Sequence, residues 1–407
     1  MPEKKRIVWI DQLKGLAFYT VILGHLSIPG IAIIWIYSFH MPLFFMITGL
    51  NLDLQKVRET TFKNYFLKLS EKILVPYFWL QMFSFVPRFI VSLVNGRPVQ
   101  VREYLIGILA GNSHIAEAPS NPLYYVLLLF LAQLSLWVCI RAVNGKKEHL
   151  GVLLCVLSLA SVFTQGVHLP WHINVVPVAM LFIFAGRLLM DFYTANEEKI
   201  SKAGFLTIGS VIMIFIVAGF FLGFFNGKIS IHSNEYGKSF VLFFITATIT
   251  SVALMLAVMK LPFNKALSFI GKNTFFYMGI HKPVLLIAES FASRREEESL
   301  VFLLLTSVIC YVGLIPVTML FEKCFPFACG KRTVKETKLF FLCKYIAITL
   351  CGFVPYMYLI EEIVGDNLLF KASAWILFAV FVVVSERVLT KLMPFMFLQK
   401  KKGSLED

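Results

Sequence analysis

Runs of about 20 apolar residues, repeated along the whole chain, constrain this sequence more than any other feature. Residues 205–225 read FLTIGSVIMIFIVAGFFLGFF, with no ionisable side chain among them. A run of that length crosses the hydrocarbon of a bilayer as a helix, whereas a membrane-barrel strand needs only about 10 alternating residues. The chain is 58% hydrophobic and 15% charged, with a mean hydropathy of +0.77. A soluble domain is nearer 45–50% apolar and about a quarter charged. The expectation is therefore an all-α, polytopic membrane bundle of about 12 transmembrane helices. The expected spans are 7–28, 31–52, 73–94, 122–140, 149–165, 172–190, 203–225, 239–259, 267–291, 299–321, 339–361 and 368–394.

Charge in the loops orients these spans. Lys4, Lys5 and Arg6 precede the first, and Lys56, Arg58, Lys63, Lys68 and Lys72 follow the second. Basic residues recur on alternate sides as far as Lys400, Lys401 and Lys402, while the opposite loops are poorer. Positive loops stay cytoplasmic, so both termini are expected there. The same alternation accounts for the net charge of +14 without invoking nucleic acid. The stretch 95–121 is expected outside, with Tyr104 to Ala110 as a short re-entrant or interfacial helix. Met1 to Arg6 is basic, but Asp11 and Lys14 follow and no small-residue cleavage site does, so no cleaved signal is expected. The seven cysteines form neither a paired framework nor a zinc pattern.

Ionisable groups inside a bilayer are costly and mark candidate sites. The first span carries Asp11, Lys14 and His25. Lys14 and His25 are eleven residues apart, which on a helix is about 20° from eclipse and about 16 Å along the axis. Asp11 lies on the same flank. The competing reading is an interfacial ion pair plus a packing histidine. Gly15 and Gly24 open the same helix to close neighbours. In the second span His40 stands beside Pro42, and ordinary packing explains the surrounding Phe and Met residues. The ninth span opens Gly271-Lys272-Asn273-Thr274 and reaches His281. Its start fits an anion at a helix N-terminus, or equally a capped helix with a snorkelling lysine. Tyr124, Tyr125, Trp171, His172 and Asn174 are weaker outer-edge candidates, and Arg88 after Pro87 is expected to face an outer cavity. No phosphate loop, dinucleotide fingerprint, metal pattern or nucleophile elbow is present in the sequence.

In order along the chain, these stretches resemble the acyltransferase 3 family of membrane acyltransferases, nearest its fucose 4-O-acetylase-like branch. Trp9-Ile10-Asp11-Gln12-Leu13-Lys14-Gly15 and Val21-Ile22-Leu23-Gly24-His25 are similar to the family's opening, in which a basic residue precedes a histidine by eleven positions. Phe39-His40-Met41-Pro42-Leu43-Phe44-Phe45 with Thr48-Gly49 resembles the second motif. Leu169-Pro170-Trp171 with Phe182 to Gly186, Asn226-Gly227 to Tyr236-Gly237, and Ile270 to His281 follow, with Asn174 standing where an aspartate is common. The resemblance covers about residues 6–331, so residues 1–331 are expected to be the core and 332–407 a two-helix extension with a basic tail.

The resemblance implies transfer of an acyl group, usually acetyl, from acyl-CoA to a sugar or glycan hydroxyl. Acyl-CoA would be a donor substrate, with no permanently bound cofactor and no metal. A mechanism that fits both the resemblance and the residues' placement takes His25 as base or acyl acceptor, His40 as second base or oxyanion donor, and Asp11 as the orienter of Lys14. Lys14, with Lys272 or Arg6, would hold the CoA phosphates, supported by Asn273, His281 and Tyr125. A bacterial plasma membrane is the expected location, and a separate extracytoplasmic transferase is an expected partner class. A proton-coupled transporter or flippase is the rival reading, since the same charges suit a proton relay.

Overall fold

The computed structural model describes residues 7–26, 28–96, 99–292, 300–331, 337–364, 368–392 and 394–397. Arg6 and the loop charges Lys4, Lys5, Arg97, Arg294, Arg295, Arg332, Lys335 and Lys400 to Lys402 lie outside the described residues.

The helices in chain order are α1 (Val8–Gly24), α2 (Gly30–Leu50), α3 (Leu54–Glu59), α4 (Phe62–Leu69), α5 (Val75–Phe83), α6 (Phe85–Asn95), α7 (Val101–Ala110), α8 (Tyr124–Ala142), α9 (Lys147–Val162), α10 (Val176–Lys202) and α11 (Phe205–Asn226). A two-stranded antiparallel hairpin, β1 (Ile229–Ser230) and β2 (Glu235–Tyr236), leads into α12 (Phe240–Lys260). The chain continues through α13 (Lys265–Lys272), α14 (Thr274–Ala292), α15 (Leu300–Cys324), α16 (Lys338–Val364) and α17 (Leu368–Leu392). Every expected span coincides with a helix or an interrupted helix. Among the described residues, seven helical stretches are long and apolar enough to cross a membrane.

Two spans differ from their expected form, each for a local reason. The third is helical from Phe62, passes through a π-turn at Ser70–Leu74 and breaks at Ser84. Pro76 has no N–H for the Lys72 carbonyl, and the Ser84 hydroxyl donates back to the Leu80 carbonyl at 2.7 Å. The ninth is two helices, parted at Asn273, whose amide donates to the Phe269 carbonyl at 3.1 Å. The short helix expected near Tyr104 is α7, which ends at Gly111 in a left-handed conformation.

The chain forms two compact units. The first comprises Met1–Phe66, Leu128–Thr274 and Glu298–Tyr311. Lipid gives helices no hydrophobic reason to associate, so close backbone packing through small residues holds them together. Here α2 lies against α10: a Cβ on Gly49 would stand 2.8 Å from the Ile183 carbonyl carbon, and one on Gly186 would stand 2.6 Å from that of Met46. In the same way α11 meets α12 at Gly219 and Gly223, opposite Thr250 and Thr246.

The β1–β2 hairpin is fixed by Asn226. Its amide donates to the Tyr236 carbonyl at 2.9 Å, and its side-chain oxygen accepts from the Ser239 N–H at 2.8 Å. Gly237, at φ +73, passes so close to Asn226 that a side chain would not fit. The Tyr236 hydroxyl donates to Asn234 at 2.7 Å, and burial pushes its pKa well above the usual phenol value.

The second unit comprises Leu67–Leu127, Phe275–Glu297 and Val312–Asp407. Its loop between α7 and α8 is pinned by Gln81, which donates to the Ser120 carbonyl at 3.1 Å and accepts from the Ser120 N–H at 2.9 Å. Arg88 donates to the Pro119 carbonyl at 3.0 Å, with its guanidinium 5.3 Å from the centre of the Tyr104 ring. It is therefore a loop anchor, and the cavity-facing role expected of it is not needed. The C-terminal helices belong to this unit: the Trp79 indole donates to the Met396 carbonyl at 2.7 Å, and Phe327 packs on Phe397. A charge pair that the sequence reading passed over joins α16 to α17. Lys344, 1% exposed, lies 3.2 Å from Glu386, 5% exposed, which also accepts from Thr390 and Tyr345. Each partner satisfies the other where an unpaired charge would be costly.

Candidate functional site

The site residues of the first unit lie on α1, α2 and α13. Helix α1 opens at Val8 without a side-chain cap, and Asp11 occupies its first turn, where the helix dipole favours a carboxylate. Asp11 is 3% exposed although it is ionisable. The reason is backbone contact with α13. A Cβ on Gly271 would stand 2.6 Å from the Asp11 carbonyl carbon, and one on Gly15 would run into the Leu267 carbonyl oxygen, with its carbonyl carbon at 3.2 Å. Gly15 also accepts, through its carbonyl, from the Tyr311 hydroxyl at 2.8 Å. Lys14 is half-buried one turn after Asp11.

This geometry revises the reading of the 271–274 stretch. Gly271 is a contact point between helices, not the opening of an anion site. Lys272 is the exposed last residue of α13, and Asn273 caps it. Asn273 is 3% exposed, and its side-chain oxygen has no hydrogen-bond partner among the described residues.

At the other end of α1 the helix stops at Gly24, and half-buried His25 is its C-cap, with its N–H on the Ile22 carbonyl at 3.0 Å. His40 lies in α2, 8% exposed, with ring Nδ1 2.8 Å from the Ile36 carbonyl one turn back. A carbonyl oxygen only accepts, so Nδ1 carries the proton and Nε2 of the neutral ring keeps its lone pair. Tyr37 joins the two histidine-bearing helices. Its hydroxyl donates to the Gly24 carbonyl at 3.0 Å, and its ring meets the His40 ring edge-on at 4.9 Å between centroids. Sequence reasoning missed Tyr37. The signal was there, because Tyr37 and His40 are three apart on one helix and share a face.

Tyr125 and His281 belong to the second unit. Tyr125 is buried at the start of α8. His281 is fully buried in α14, and its Nδ1 reaches the Tyr277 carbonyl at 2.9 Å, the same one-turn-back contact that His40 makes. The weaker candidates of the first unit shape its outer loops. Trp171 and His172 adopt left-handed conformations at φ 55 and 52, and the His172 ring lies 5.0 Å from that of His232. Asn174 donates to the Val167 carbonyl at 2.8 Å, a bond that an aspartate there would be unable to make.

No curated protein and no solved structure matches the chain. A family model described as an acyltransferase domain matches residues 7–322, from the start of α1 almost to the end of α15. That match takes in both histidine-bearing helices and the α13–α14 break, and on it the chain belongs to the acyltransferase 3 family of membrane acyltransferases.

Proposed function

We propose that the protein moves an acyl group, acetyl in the family's usual reaction, from acyl-CoA to a hydroxyl of a cell-surface or lipid-linked glycan. A fucose 4-O-acetylase-like acceptor and a bacterial plasma membrane are part of this reading. The observation that carries it is the Tyr37 link: one side chain bonds the carbonyl next to His25 and packs on His40, whose Nε2 is left basic. An imidazole on each of two helices linked by Tyr37 suits proton transfer.

In the proposed reaction His25 takes the acceptor hydroxyl's proton as its oxygen attacks the thioester carbonyl. The C–O bond forms, the C–S bond breaks, and the imidazolium returns the proton to the departing CoA sulfur. His40 serves as the second base. With Nδ1 committed to Ile36, its neutral ring offers a lone pair at Nε2, which favours the base over the oxyanion donor. Lys14, beside Asp11, receives the donor's diphosphate together with Lys272, and Asn273 supports them. Acyl-CoA is a substrate, and no resident cofactor enters. A separate extracytoplasmic transferase completes delivery where the acceptor lies beyond the membrane.

The test is acetyl-CoA turnover by the purified protein in lipid nanodiscs, with membrane glycans as acceptor. The reading expects free CoA thiol and labelled acetyl ester in equal amounts. Proton-coupled glycan flux with no CoA binding and no thiol release would replace it with a transporter.

A further inference from the structure

Where α2 runs out, the first unit has an open cavity of about 430 Å³ whose lining includes Asp53, Gln55, Arg58, Gly145, Lys147 and Arg187. We propose that this cavity binds a phosphate ester. Three segments far apart in sequence converge there: the turn into α3 with α3 itself, the turn between α8 and α9, and the middle of α10. Arg58, Lys147 and Arg187 line it with Asp53, which caps α3 by accepting from the Lys56 N–H at 3.1 Å; a second carboxylate, Asp191, pairs with Lys147 and Arg187 and leaves Arg58 as the cation with no carboxylate on it among these contacts.

The cations are held in place before any ligand arrives. Arg187 donates one Nη to the Leu52 carbonyl at 2.6 Å and the other to Asp191, which also takes Lys147. Its Nε is buried and has no acceptor among the described residues. A buried guanidinium donor without an acceptor is costly, and a phosphate oxygen is the acceptor that a planar guanidinium fits best. Arg58 donates to the Asn144 carbonyl at 2.9 Å, and its stem runs within 3.4 Å of where a Cβ on Gly145 would be. Gly145 has φ +72, so glycine is what lets this turn come so close. The neighbouring helix α9 begins at Lys147 without a side-chain cap, which leaves its first amides turned toward an anion.

Two sources supply a phosphate ester on the basic-loop side of such a protein. One is the nucleotide end of acyl-CoA, a choice that rests on the function proposed above; the other is a phospholipid headgroup. Leu52, bonded by Arg187, is twelve residues from His40. That is about 18 Å along the α2 axis. A donor that carries its phosphates and its thioester at opposite ends of an extended arm matches this separation.

The experiment uses full-length protein in phosphatidylcholine nanodiscs, as wild type, Arg58→Gln and Arg187→Lys. Adenosine 3′,5′-bisphosphate binding is measured by calorimetry at two salt concentrations, and phosphatidylglycerol retention by native mass spectrometry. Thermal denaturation checks that each variant folds. At least a tenfold loss for one probe in folded Arg58→Gln, with weaker wild-type binding at higher salt, supports the site. The probe that is lost names the source. Both probes binding the two variants as tightly as wild type, or neither binding wild type, overturns it. Neither readout needs acyl transfer, so lost turnover with intact probe binding would count against the proposed function and leave the cavity standing.

Discussion

Gly271→Ala is the sharpest structural perturbation of the site. The added methyl carbon would stand 2.6 Å from the Asp11 carbonyl carbon and 3.1 Å from the Gly15 nitrogen, both backbone atoms that no rotamer change moves. Ordinary contact begins at 3.4 Å, so the carbonyl carbon alone demands 3.4 − 2.6 = 0.8 Å, and the still nearer Asp11 carbonyl oxygen makes α1 and α13 part by more than that. Overpacking of this kind costs about 1–3 kcal/mol. That is a roughly 5- to 150-fold drop in the folded-to-unfolded ratio. The shift also moves Lys272 away from Lys14, so the donor KM should rise with the loss of stability. Gly209→Ala is the control: it lies on α11 with nothing within 4 Å of the new carbon, so alanine there is neutral or slightly stabilising. Thermal unfolding of the detergent-purified variants, with KM for acetyl-CoA measured alongside, makes the comparison. Equal midpoints and equal KM values for the two variants would refute the backbone contact that seats Asp11.

Further outcomes follow from single contacts. Tyr37→Phe keeps the ring on His40 but removes the bond to the Gly24 carbonyl, at about 0.5–1.5 kcal/mol. Turnover should fall with donor KM unchanged, and unaltered turnover would show that the link does not align the site. Glu386→Gln removes the charge facing buried Lys344 and should cost about 3–5 kcal/mol, read as reduced folded yield and midpoint, with Lys344→Met/Glu386→Gln recovering part of the loss. Burial pushes the Cys329 thiol up to about 12, aided by Glu322. The thiol therefore stays protonated at neutral pH, where only the thiolate is nucleophilic, and maleimide labelling of Cys329 in native protein, read at its own peptide by mass spectrometry, should be slow at pH 7 and quicken as pH rises. Rapid labelling at pH 7 would contradict that burial.

How far the sequence could be read varied with the kind of signal. Uninterrupted apolar runs such as α11 were legible because the bilayer demands length and apolarity and little else. The break at Asn273 and the π-turn before Pro76 were not, since each depends on which carbonyl finds a donor once the helix is packed. Gly271 was read equally as an anion-site glycine or as part of an ordinary capped helix; a missing side chain serves a ligand and a neighbouring helix equally well, and only Asp11 lying behind it decides. His40 was visible as a buried ionisable group, but its tautomer was not, because that rests on the Ile36 carbonyl. Arg58, Lys147 and Arg187 read as loop charges that orient the chain, and their convergence on one cavity is a product of the fold.

The most direct test of the central claim is CoA thiol release in nanodiscs by wild type, His25→Ala and His40→Ala, each first shown to be folded. The account predicts that His25→Ala loses release by about 10²–10⁴-fold and that His40→Ala falls by a smaller factor, with donor binding retained in both. Wild-type release from a folded His25→Ala protein would contradict it and move the chemistry off the end of α1.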